Sequence, residues 1–597
     1  MIRALALAGL LLASAAAAAT PRFELAGQLS DDDRAATAAL VAAARARLPA
    51  AWAAALDRPV RLEWRDDLPA GVHGRARNWR ILLDRGLLHE AGAGQDLDAS
   101  GSPALAALLH ELAHLYDRTA AGGLSRDPRL LDLAGWQVAA PGPRRGRHNP
   151  FSDRSPDRYE LASPREFVAV NLEHYLLDPG YACRRPALAA WFDARFGQVP
   201  PGRATCAEGL AFIQDPVAGA EPLRLLDPAR VYAVDYLLAE GGQGMASHWG
   251  HAMLRLVVCA PGRAPGPDCR LDLQHHLVLS FRAFVDDLQI SSWRGLMGGY
   301  PSRLFVLPLE QVVDEYTRVE LRDLRSLPLA LSSVERQALA TRAAQLHWTY
   351  DGRYRFISNN CAVETWKLLH DAAPRLAALP LRSLTPDGLA KRLRRHGLVD
   401  EAAVPADPLE RLRLGFHFQS AAAAHEGMYA VARAELGLAA ADAGAWMALA
   451  PARRRPDLQR AGLRSAAALL VLEAAALRRE QAQARDLLKR RWLQRAAAAD
   501  AGLDEGLRQF LDAGAAFGRP ASWLHHVPGY GLPQHDERRQ LQARMAAEGA
   551  DRAGDAQRLE QRIRALLPAP RRQALEDAEA NLALLGERLR VLARDPA

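Results

Sequence analysis

Beyond its first nineteen residues the chain has no apolar run approaching the ~18 residues that a membrane-crossing helix needs, so a bundle of spans is excluded as its working architecture. It has no internal repeat strong enough to define a solenoid or propeller. It also lacks a strong charge of either sign: 76 Lys and Arg stand against 69 Asp and Glu, a net +7 over 597 residues. That balance gives no footing for nucleic-acid binding, although it is compatible with an anionic surface nearby. Cysteine is scarce, five residues in all, and none follows the opening apolar segment, which argues against a lipid-anchored mature end.

What is present is length and helix-forming composition. The chain is long enough for three or four domains, and with 49% apolar and 24% charged residues it has a globular balance. Met1–Ala19 reads as a secretory signal: Arg3 is the charged start, Ala4 to Ala13 the apolar core, and Ala17-Ala18-Ala19 the cleavage site. The mature protein is therefore expected in a bacterial periplasm. In that oxidising compartment Cys183 with Cys206, and Cys259 with Cys269, are candidate local disulfides, leaving Cys361 as an odd thiol. Spacing alone does not fix that pairing, and five free thiols is the alternative.

The stretch Ala104–Thr119, ALAALLHELAHLYDRT, has no Pro or Gly inside and reads as a buried helix. His110 and His114, at i and i+4, fall on one face and can grip one metal ion. Glu111 beside them can take a proton from water; this is the H-E-x-x-H signature of zinc peptidases, with Zn2+ the expected cofactor. The plain alternative is an amphipathic helix with two satisfied histidines. Upstream, Asp31 to Leu48 reads as a helix, and 60–64 and 78–83 as strands.

Downstream, Tyr159 precedes a helix opening at Ser163-Pro164-Arg165-Glu166. Glu166 has two readings: third residue of a capping box behind Ser163, or third metal ligand from a later helix. H-E-x-x-H-x-x-D followed by Y-x6-E-F-x-A resembles the gluzincin peptidases of the lethal-factor and MtfA type. The resemblance implies His110, His114 and Glu166 as metal ligands, Glu111 as general base and Tyr159 as the group that stabilises the oxyanion. Asp117 is then a carboxylate placed to orient His114, and Glu173 is a substitute ligand.

A second centre is read further on. Residues 231–238, 251–258, 275–281 and 304–307 read as strands, and a helix is expected over 333–349. In Ser358-Asn359-Asn360-Cys361-Ala362 a polar cluster gives way to a helical pattern, placing Cys361 in a first turn, where the helix dipole lowers a thiol pKa. A buried cysteine behind an asparagine cap is the alternative. From about Tyr232 to Leu369 the motifs S-x-W-G-H-A-x-L-R, G-G-Y-P-x-R, V-x-E-Y-x-x-x-E-x-R-D-L and Y-x-F-x-x-N-N-C resemble the N-terminal periplasmic domain of Lnb-type lipoprotein acyltransferases. That family resembles permuted papain-like, NlpC-type enzymes. The resemblance implies His251 as base and Cys361 as nucleophile, with fast alkylation expected at about pH 6. His248 holds a less characteristic position, and His275 and His276 are candidates for the third polar group. Lnb proteins continue into membrane spans; this chain does not.

Past residue 395 the sequence is almost wholly helical. The expected architecture is multidomain: a signal peptide over 1–19, an α/β zincin-like domain over 20–225, an α+β permuted papain-like Cys-His domain over 226–395, and an all-α region over 396–597. The expected function is an exported cell-envelope hydrolase with a zinc-peptidase-like centre and a Cys-His hydrolase or acyltransferase-like centre. Two alternatives stand beside it: only the Cys-His centre is active, or both domains are non-catalytic envelope-binding modules. The expected partners are an envelope peptide, lipoprotein or lipid substrate, with peripheral membrane contact and no nucleic acid.

Overall fold

A computed structural model describes residues 21–88, 102–138, 144–214, 222–241, 250–283, 300–497, 518–547, 564–565 and 567–594. The expected signal segment, His248 and the Gly298-Gly299 turn lie outside them. The protein is a multidomain mixed α/β chain in two compact units: residues up to Trp136 with Ser155–Cys206, and Gln137–Arg154 with Ala207–Ala597. The expected edges at 225/226 and 395/396 are not edges of these units.

The first unit holds a four-stranded sheet of β1 (Phe23–Ala26), β2 (Val60–Arg65), β3 (Gly74–Arg77) and β4 (Arg80–Asp84), in the order β1-β2-β4-β3. The first three strands in that order run parallel and β3 closes the edge antiparallel. On β2, Val60, Leu62 and Trp64 are buried while Arg61 is exposed, as its alternation requires. The strand expected over 78–83 begins later, at Arg80, because Asn78 and Trp79 form the turn between β3 and β4, both with positive φ. The buried face carries α1 (Asp31–Arg47), capped by Ser30, and α2 (Pro103–Asp117), capped by Ser102 with Pro103 at its first position. Next to α2 lies α3 (Pro164–Leu177). The segment ahead of α3 is pinned by Glu160, fully buried, which takes Arg185 at 2.7 Å and Asn171 at 2.9 Å. The Cys183–Cys206 disulfide is formed.

The second unit is built on a seven-stranded, antiparallel sheet. Its strands are β5 and β6 apart (Leu210–Ile213, Leu223–Leu226, a separate hairpin), then β7 (Val231–Ala239), β8 (His251–Val258), β9 (Leu277–Ala283), β10 (Tyr300–Pro308), β11 (Leu324–Pro328), β12 (Gly352–Tyr354) and β13 (His417–Phe418). The order is β12-β10-β9-β8-β7-β11-β13. One face packs in a large cluster with α4 (Ser333–Thr349) and α5 (Cys361–Ala372); the other carries Leu309, Val312 and Tyr316 from a short helix and a following π-helical turn. Helix α4 has the bounds expected from sequence and is opened by a Ser332–Glu335 capping box. The Cys259–Cys269 disulfide is formed and Cys361 is free. Past residue 395 the described chain is helical apart from β13. There α6 (Ala422–Leu436), α7 (Leu463–Ala497) and α8 (Ala569–Arg594) share a core of their own, crossed by a buried Arg454–Glu473 pair at 2.6 Å.

Candidate metal centre

Helix periodicity sets the first two donors. His110 and His114 stand one turn apart on α2, their rings 5.0 Å apart and edge-on. The third comes from the first turn of α3. There Ser163 Oγ accepts the Glu166 backbone N–H at 3.3 Å, so the cap is made, but it uses only Glu166's backbone. The carboxylate is released toward α2, with Oε2 3.0 Å from His114 Nε2 and 3.5 Å from His110 Nε2. One donor atom from each of the three residues lies within 4.8 Å of the others. A tetrahedral zinc site with arms of roughly 2.0–2.1 Å has donor–donor edges of roughly 3.3–3.4 Å, so the observed separations suit one small cation.

The surroundings divide the remaining roles. Glu173 Oε2 lies 3.4 Å from His110 Nδ1, the nitrogen turned away from Glu166. It therefore sits behind a donor rather than among the donors. Asp117 does not orient His114: its two oxygens accept the Ser125 N–H at 2.8 Å and hydroxyl at 2.6 Å, holding the turn after α2. Tyr159 is exposed, its ring stacked 6.2 Å from His110. Slight desolvation on the side toward the site raises its pKa, and the neighbouring Glu166 and Glu111 charges add to that.

Glu111 is 5% exposed, and its Oε2 is buried without a hydrogen-bond partner. Burial pushes its pKa up against the pull of His110 and His114. The edge strand makes room for it. A Cβ on Gly74 would fall 2.8 Å from Glu111 Cγ and 2.9 Å from Oε1, so any larger residue there would force the Glu111 side chain to shift. Burial alone would lower the His110 pKa, but the Glu166 and Glu173 carboxylates outweigh it and raise it to about 9. Glu166 is held at about 2 by the two imidazoles, against burial.

The second expected centre is not assembled in the same way. Asn360 caps α5, accepting the N–H groups of Ala362 at 3.1 Å and Val363 at 3.2 Å, and Cys361 follows it. The thiol is 5% exposed. Burial raises its pKa, although the Ala252 N–H and the Tyr354 hydroxyl favour the thiolate. On β8, Ala252, Leu254, Leu256 and Val258 share the cluster that contains Cys361, while Met253 belongs to the cluster on the other face. His251 falls in Met253's set. Its cross-strand partner Ala239 is in that second cluster, its ring stacks 6.1 Å from Tyr316, and its Nε2 lies 3.0 Å from Ser280 Oγ. The His251 ring thus lies on the face of the sheet opposite the one that packs on Cys361. Burial, with Arg282 and Arg322 nearby, lowers the His251 pKa to about 3. His276 is engaged by Arg255 at 2.8 Å and by the Cys269 carbonyl at 2.8 Å, and His275 by Arg224 at 3.3 Å. Neither serves as a third group at Cys361.

Residues 22–123 and 119–205 match the family described as a domain of unknown function (DUF7844), and residues 220–387 match the Lnb N-terminal periplasmic domain. No curated protein and no solved structure matches. The second match is that of an envelope-associated, periplasmic domain, and no described helix is long and apolar enough to cross a membrane.

Proposed function

We propose that the first unit is a zinc-dependent hydrolase of the gluzincin peptidase type, acting in the cell envelope on a peptide or lipoprotein. The observation that carries this reading is the convergence of His110, His114 and Glu166 donors within 4.8 Å, next to a buried Glu111 with an unpartnered oxygen. When bound, the ion supplies Lewis acidity to the scissile carbonyl and makes water more acidic. Glu111 takes the proton of the attacking water through Oε2, and its raised pKa suits a base that must later give that proton to the leaving amine. Tyr159 donates its hydroxyl to the oxyanion as it develops. Cys361 is left out of this reading, because among the described residues no imidazole is shown beside it to take its proton.

The test is metal content and peptide cleavage measured together on purified mature protein. The parent should carry one equivalent of zinc, and His114→Ala should lose it. Glu111→Gln should keep the metal and lose hydrolysis of a fluorogenic peptide library. Protein that carries no metal, or the same metal content in His114→Ala, sinks the proposal and leaves a binding module.

A further inference from the structure

The solvent face of the first unit's sheet carries an unbalanced row of charge. Register places Glu24 opposite Arg61, Arg61 opposite Arg80, and Arg80 opposite Arg77, so three arginines from β2, β4 and β3 stand side by side. Neighbouring strands are about 4.8 Å apart, and like charges directly opposite destabilise a sheet. Arg80 is neutralised by Glu63, its Nε 3.1 Å from Oε2. Among the described residues no acid makes a close ion pair with Arg61, Arg77 or Arg75, although Glu24 faces Arg61 across the ladder, and all three arginines are exposed.

A second, independent oddity sits at the end of that row. The two-residue turn joining β3 to β4 has φ of 51° at Asn78 and 62° at Trp79. Such a turn favours glycine at its second position, and a tryptophan there is strained. The indole is half-buried, with the Arg58 guanidinium 5.8 Å over its ring. The fold thus holds a strained aromatic at the tip of a basic face.

We propose that this face docks on an anionic phospholipid membrane. Guanidinium groups bind phosphate in a fork geometry, and an indole settles at headgroup depth. An open array across three strands suits a surface of many headgroups rather than one enclosed ligand. The opposite face of the same sheet carries the metal centre, so the contact leaves that site free. Docking here is independent of whether zinc is bound.

The test is co-sedimentation of the mature protein with vesicles of phosphatidylcholine alone and of phosphatidylcholine mixed with phosphatidylglycerol. The parent should bind only the mixed vesicles and release them as salt rises. Arg61→Gln, Arg75→Gln and Arg77→Gln combined should lower partitioning roughly a hundredfold, taking each arginine as roughly fivefold. Trp79→Gly should weaken binding while its unfolding midpoint stays or rises, because glycine relieves the turn. A purely structural tryptophan would give the reverse. Equal binding of parent and triple variant overturns the proposal. So does capture by soluble polyglutamate with no binding to mixed vesicles, which would mark an acidic protein as the partner. Should the triple variant fail to fold, Arg75→Gln alone and Trp79→Gly still decide the matter.

Discussion

Glu166 offers two services from one residue, and its two halves are separable. The backbone N–H completes the cap on α3, while the carboxylate meets both histidines. Glu166→Gln keeps the N–H, so it should leave the cap's ~0.5–2 kcal/mol untouched. It replaces a carboxylate donor with an amide, so zinc retention should fall sharply in a chelator competition. A variant that loses stability but not zinc would make Glu166 a cap alone. Glu173 should behave differently. It lies behind His110 on the Nδ1 side, where a carboxylate fixes the tautomer and orientation of a ligating imidazole. Glu173→Gln should still bind one zinc, with affinity lower by about 10–100-fold. Complete loss would instead place Glu173 among the ligands.

At the scale of elements, the short edge strand β3 decides how Glu111 sits. Gly74→Ala would press a methyl against Glu111 Cγ and Oε1, so it should cut kcat while zinc content stays at the parent level. Equal loss of both would mean that the strand, not the base, had moved. Strand β3 itself was not legible in the sequence: Gly-Arg-Ala-Arg has no β-branched or aromatic residue, and pairing to β4 makes it a strand. That His110 and His114 share a face was legible, because i, i+4 spacing is a local rule. That the Glu166 carboxylate meets them depends on the packing of α3 beside α2, which no local pattern contains. The face of His251 was not legible either. Strand β8 is buried on both sides, so its sequence, His-Ala-Met-Leu-Arg-Leu-Val-Val, shows no polar alternation to reveal which side meets α5. With His251 across the sheet, Cys361 should alkylate more slowly than an ordinary thiol at about pH 6, and His251→Ala should not change the rate. Fast labelling that His251→Ala slows would restore the pair.

On the scale of the whole molecule, the two units should answer acidification differently. The first sets the raised pKa of His110 against the lowered pKa of the buried His174, whereas the second has only lowered imidazoles among those that shift. In metal-free protein His110 has its pKa raised to about 9 by Glu166 and Glu173, overcoming burial. Its contribution is full below the unfolded value of about 6.5 and is lost as pH rises toward 9. Glu166, held at about 2, contributes above the ordinary carboxylate range and is lost only on strong acidification. The second unit instead buries neutral imidazoles. Burial holds His276 at about 3, helped by Arg255, and His347 at about 4, while His251 stands at about 3. His347 is fixed in that state: Nε2 accepts the Ile213 N–H at 2.9 Å and Nδ1 donates to the Leu304 carbonyl at 3.1 Å. Between about pH 6.5 and 4 the unfolded chain binds more protons at these sites, so the second unit loses stability as pH falls, by at most roughly 1.4 kcal/mol per pH unit per histidine. Thermal unfolding of chelator-treated protein at about pH 7.5 and about pH 5 should show the transition of the second unit moving down while that of the first does not. His347→Gln should lower the midpoint at about pH 7.5 yet flatten its slope with pH, because one titrating site is gone. An unchanged slope in that variant, or a second-unit midpoint that stays put at about pH 5, would show that these imidazoles are not held neutral by the fold.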